Sequence, residues 1–239
     1  KPIERDSERA RELVAACDDA GVELMIAYRM HTEPTVRRAR EAIDAGYVGD
    51  PVAVRGDMSQ RLLERVDPDP DQWRLDGDLA GGGALYDVGV YPLNTARFLL
   101  DADPVAVTGS VGSTHDAFDG VEETVACSVR FSDGATAACF ASHNARQASS
   151  ITVTGTEGQV RIEPAFFQDQ PRRLHLSRGD SRAEIEVDRV DQMREEFDYF
   201  ADRLRGDAPI HPDGRHGVVD VEVMEAVYEA ADRDVWVEV

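Results

Sequence analysis

Beyond Asp101 the apolar residues stop recurring at helical spacing and begin to alternate, and they do so in seven short runs: 105–113, 122–131, 134–143, 149–155, 158–163, 173–178 and 183–188. Successive side chains of a strand point to opposite faces, so each run reads as a strand with one face buried. The turns between them are brief, Ser132-Asp133-Gly134 and Gly155-Thr156-Glu157-Gly158 among them. Such turns join antiparallel neighbours and leave no room for the crossover that a parallel pair needs. The chain is therefore expected to fold as α+β around an open, mostly antiparallel sheet with helices packed on one face.

The helices come from the flanking segments. Ala10, Leu13, Val14, Cys17 and Ala20 keep helical spacing up to Gly21, and the apolar run 22–27 then reads as a short buried strand. Residues 1–30 thus look like the tail of an α/β layer. A helix from Thr35 to Ala45 stopped by Gly46, a strand at 52–58 and an Asp- and Pro-rich loop at 59–80 follow. Three glycines, Gly81 to Gly83, precede a helical pattern running to Leu100, with a bend or a broken turn expected at Pro92. Helices near 190–204 and 218–231 and a strand at 235–239 close the chain.

A chain of 239 residues can bury roughly 70% of its unfolded surface, enough for a self-sufficient core. Its 47 acidic residues outnumber 26 basic ones, for a net charge of −21, which repels nucleic acid and anionic membrane surfaces. No stretch approaches the ~18 apolar residues of a spanning helix. Lys1 is the sole lysine. Dispersed acidity with lysine nearly absent suits molar salt, where screening acts over only about 3 Å; an arginine-rich codon bias is the other reading of the missing lysines. Cys17, Cys127 and Cys139 are too few and too scattered for a disulfide framework or a zinc site, so a cytoplasmic setting is expected. The first twenty residues lack the apolar core of a signal peptide. Because the chain starts on Lys and not Met, further sequence upstream is expected.

Asp87 and Tyr91, four residues apart just after the glycines, project from one helical face and could act as an acid/base pair. Equally, Asp87 could complement the helix dipole while Tyr91 packs. Trp73-Arg74 and Tyr28-Arg29 each offer a ring beside a fork of donors, suited to a polyhydroxylated ligand or simply to surface stacking. The six histidines show no metal-binding spacing, so no metal is expected. No GxGxxG, phosphate loop or GxSxG occurs.

Lys1-Pro2, Tyr28-Arg29, Trp73-Arg74-Leu75 and above all Ala80-Gly-Gly-Gly-Ala-Leu-Tyr-Asp-Val-Gly-Val-Tyr91 with Asn94 resemble the Gfo/Idh/MocA oxidoreductases along essentially the whole chain. The subgroup is similar to glucose-fructose oxidoreductase and the aldose dehydrogenases. The resemblance implies that Lys1 hydrogen-bonds the reacting hydroxyl, Asp87 orients the substrate, and Tyr91 fills the acid/base position that many relatives give to histidine. Tyr28, Arg29, Trp73, Arg74 and Asn94 would line the sugar side of the cleft, with Lys1, Pro2, Arg29, Trp73 and Arg74 also facing the cofactor. It implies NADP or NAD as cofactor and hydride transfer between a sugar such as xylose or glucose and the nicotinamide. Residues 1–30 would be the last helix and strand of a Rossmann domain, and residues 31–239 a substrate-binding and oligomerisation domain. The Gly-rich turn that holds the dinucleotide pyrophosphate would lie upstream, so this chain alone is expected to bind dinucleotide weakly or not at all. The competing readings are a ligand-binding or assembly module without catalysis, and a dehydratase or hydrolase using the same carboxylate. An open sheet leaves one face to cover, so a homodimer or homotetramer is expected.

Overall fold

A computed structural model describes all residues from Lys1 to Val239. The chain runs α1 (Ser7–Ala20), α2 (Pro34–Asp44), β1 (Pro51–Arg61), a single turn α3 (Gly77–Ala80), α4 (Val90–Leu100), then β2 (Pro104–Gly112), β3 (Thr124–Phe131), β4 (Thr136–Ser142), β5 (Asn144–Gly155), β6 (Gly158–Ile162), β7 (Arg172–Arg178) and β8 (Ser181–Val187), and ends with α5 (Gln192–Gly206), α6 (Gly214–Arg233) and β9 (Val237–Glu238). All nine strands form one open sheet in the order β8-β7-β6-β5-β1-β4-β3-β2-β9.

The seven alternating runs are all strands, yet the sheet is not a plain meander. β1 is wedged between β4 and β5, antiparallel to β5 and parallel to β4, with Ala53 beside Thr136 and Ser59 beside Ser142. This insertion separates β4 from β5 at Ser142, so the chain leaves the meander at His143 and returns on the far side of β1. The closing strand shrinks to two residues paired with β2. Residues 22–27 make no strand: with no ladder beside them they form a single bridge, Met25 to Asp213, and Ile26 N–H donates to the Pro212 carbonyl at 3.0 Å.

The core lies between the sheet and α2, α4 and α6. Met224 and Val227 of α6 and Leu93 of α4 are fully buried against Val107, Val129 and Val153 of the sheet, each such side chain contributing about 1.5–3 kcal/mol on burial. Pro92 does not break its helix. It falls where the wide turn of residues 85–89 gives way to regular α-helix, and Gly56 of β1 leaves the space its ring fills, since a Cβ there would stand 2.7 Å from Pro92. The opposite sheet face, with Arg55, Asp57 and the 39% exposed Phe140, carries no helix. No helix is long and apolar enough to cross a membrane.

Candidate active site

The loop that precedes α4 is shaped by close approaches. Asp76 caps α3 by accepting from the N–H groups of Asp78 and Leu79, and Gly81 ends it in the left-handed region at φ +80°. A Cβ on Gly82 would stand 2.1 Å from the Tyr228 hydroxyl, and one on Gly83 would stand 2.1 Å from the Glu122 carbonyl oxygen. Only glycine lets the chain pass so near both. The chain then winds a wide turn over Leu85–Gly89 and continues as α4, placing Asp87 and Tyr91 together.

Asp87 is the hub. His143 Nε2 lies 3.2 Å from its Oδ2, Arg74 Nε lies 3.4 Å from the same oxygen without hydrogen-bond alignment, and Lys1 Nζ lies 3.8 Å from Oδ1 while donating to the Asp87 main-chain carbonyl. Burial alone would raise the carboxyl pKa, but the hydrogen bond from His143 and the charges of Lys1 and Arg74 outweigh it and hold Asp87 well below the usual carboxylate range. Asp87 is therefore a fixed anion. Lys1 also sits 4.4 Å from the centre of the Tyr91 ring.

Arg29 donates through Nε to the Tyr91 hydroxyl at 3.1 Å, and its guanidinium lies 4.7 Å from the ring centre. Its other nitrogens donate to Gln192 Oε1 and to the Phe166 carbonyl. At 7% exposure, with its whole fork engaged by protein, Arg29 buttresses Tyr91 and is not a free ligand donor. The Tyr91 hydroxyl accepts from Arg29 and has no protein acceptor for its own proton. Above these groups opens a cleft of about 450 Å³ whose wall includes Gln60, Arg74, Asp87, Tyr91 and Asp169. A smaller cavity beside it is bounded by Lys1, Pro2, Trp73 and Arg74, where Arg74 stacks 4.5 Å over the half-exposed Trp73 ring. Three larger surface hollows, one along residues 111–122, one on the uncovered sheet face and one between Arg61, Glu64 and Arg146, hold none of these groups.

Tyr28 and Asn94 are not on the cleft. Asn94, 1% exposed, accepts from His31 Nε2 and donates to His216 Nε2 and Asp220 Oδ2, each at 2.8 Å. Tyr28 is buried next to it with its hydroxyl unpartnered; burial, then the nearby Asp220 charge, push that hydroxyl's pKa up. Burial, then Arg97 and His211, lower His216 to about 2, so it stays neutral. This closed network is completed by Arg97 on Asp220 at 2.5 Å. It lies between α4 and α6, where His216 and Asp220 of α6 meet Asn94. His143 and Gln192, which the sequence reading missed, had only weak signals: His143 sits at the junction of two strands, and Gln192 opens a helix far along the chain.

Residues 36–161 match the family model described as the GFO/IDH/MocA C-terminal domain. The chain belongs to the Gfo/Idh/MocA family. Over 235 residues it is 52% identical to the D-xylose 1-dehydrogenase [NADP(+)] of Haloarcula marismortui, covering 98% of this chain and 65% of that protein. It is 31% identical over 240 residues to D-xylose 1-dehydrogenase (NADP(+)) 2 of Haloferax volcanii, covering 100% of this chain and 71% of that one. The solved aldose-aldose oxidoreductase of Caulobacter crescentus, complexed with glycerol, superposes with a TM-score of 0.92 at 30% identity, over 100% of this chain and 70% of that chain. The chain thus spans about two thirds of the length of these Gfo/Idh/MocA relatives, and its acidity fits the haloarchaeal ones.

Proposed function

We propose that the full-length protein is an NADP- or NAD-dependent sugar dehydrogenase, and that this chain supplies its substrate-binding and catalytic portion. The observation that carries the reading is that Asp87 and Tyr91 line one cleft large enough for a monosaccharide while Lys1, on the wall of the adjoining cavity, bears on both of them. When bound, the nicotinamide supplies the hydride-accepting carbon. At the edge of the smaller cavity Trp73 offers a ring face, and Lys1 and Arg74 offer positive charge, groups suited to the nicotinamide ring and to the phosphates of a dinucleotide respectively.

The chain's own groups account for the rest. Asp87, fixed as an anion, accepts a hydroxyl of the sugar and turns the ring toward the cofactor side. Lys1 donates to the reacting oxygen from its seat on the Asp87 carbonyl. Tyr91, its hydroxyl held by Arg29, exchanges the proton at that oxygen. Gln60 and Asp169 face the cleft as candidates for reading the remaining hydroxyls.

The test is to incubate the full-length protein with NADP or NAD and aldoses such as D-xylose and D-glucose and to follow nicotinamide absorbance. Product without an absorbance change would favour a dehydratase or hydrolase using Asp87. Binding of sugar without any product would favour a ligand-binding module. We also place a homo-oligomer contact on the uncovered face around Phe140, supported by its lack of any covering helix. Light scattering in molar KCl is expected to give a dimer or tetramer; a monomer would contradict it.

A further inference from the structure

Asp87 and Tyr91 ride on one helix, so whatever fixes its start fixes the geometry of both. The first N–H groups of a helix have no partner within it. Here a residue 37 to 39 positions further on meets them: Glu122 Oε2 accepts from Gly83 N–H at 2.8 Å and Oε1 from Leu85 N–H at 2.6 Å. The main-chain carbonyl of the same residue accepts from Ala84 N–H at 3.0 Å. Tyr228, reaching across from α6, donates to Glu122 Oε2 at 2.9 Å. The two glycines that tolerate no Cβ are the ones pressed against Tyr228 and Glu122. Glu122 is itself buried and absent from the cleft wall.

We infer that Glu122, oriented by Tyr228, is a positioning residue of the reaction, clamping the start of the helix so that Asp87 and Tyr91 keep their reach to Lys1, His143 and Arg29. The inference rests on the sugar-dehydrogenase reading for its kinetic effect. A carboxylate at this end also complements the helix dipole. Glu122→Gln keeps the size but turns an amide N–H₂ toward the N–H of either Gly83 or Leu85, so the turn must shift. Displacements of about 1 Å from a distant change can lower rates about 100-fold.

In the full-length protein, Glu122→Gln is expected to lower kcat at least about tenfold while the sugar KM stays within about threefold, the signature of a loss felt in the transition state. Carboxyl NMR should show Asp87 rising toward its ordinary range near ~3.9, because Lys1, Arg74 and His143 no longer bear on it as closely. A folded Glu122→Gln enzyme with unchanged kcat and an unmoved Asp87 titration would overturn the inference. If that variant does not fold, Tyr228→Phe, which removes one bond to the same carboxylate, should lower kcat about two- to fivefold with a smaller shift of Asp87; no change in either would overturn it equally. Should the wild type oxidise no sugar, the functional reading fails on that ground, and the Asp87 titration still decides the role of Glu122.

Discussion

Replacing Tyr91 with Phe is expected to lower kcat for sugar oxidation by about 10²–10⁴-fold, the usual contribution of a positioned acid/base. The hydroxyl is the one group of the cleft that both receives a fixed N–H, from Arg29, and keeps its own proton free of protein acceptors. Removing it also leaves Arg29 Nε buried and unpaired, a penalty of about 1–3 kcal/mol. For a chain of this size that lowers Tm by roughly 2–12 °C, which a folded-fraction measurement at the assay temperature separates from the kinetic loss. Unchanged turnover would remove Tyr91 from the mechanism and return the proton transfer to another group.

The largest stability effect should come from outside the cleft. Arg97→Met leaves Asp220, which is 0% exposed, with no cationic partner, since Arg97 Nη1 is the group that meets Oδ1 at 2.5 Å. Stranding one member of a buried pair costs about 3–5 kcal/mol, or a fall in Tm of roughly 6–20 °C. Adding Asp220→Asn to Arg97→Met should restore part of that loss, because the stranded charge is then gone while an oxygen remains for Asn94. Equal melting of wild type and Arg97→Met would mean that Asp220 is stabilised by Asn94 and the neighbouring imidazole without the guanidinium.

The alternating runs exposed the sheet because period-2 burial is a local property, legible wherever one face is covered. The insertion of β1 was not, since alternation records which face is buried and not which strand lies alongside. Lys1, Asp87 and Tyr91 were found together because the glycine-rich motif carries the last two and the Lys-Pro pair carries the first. The family resemblance implies Tyr28, Arg29 and Asn94 on the cleft; Arg29 does line it, with its fork engaged by Tyr91, Gln192 and Phe166, whereas Asn94 is spent on buried protein partners and Tyr28 is buried beside them, a distinction that residue type alone does not carry. His143 escaped notice for a related reason: 56 residues separate it from Asp87, and only the break between β4 and β5 brings it there.

Lys1 bears on Asp87 across 86 positions of sequence, and Arg29 meets Gln192 across 163. Contacts of such separation form only after the intervening chain has been made and has closed its loops. A ribosome releasing this polypeptide would expose the glycine turn and its helix long before His143 and Gln192 emerge, so no partial product carries the assembled cluster. The hold of Arg29 on the Tyr91 hydroxyl is complete only once α5 has docked and Gln192 has met Arg29.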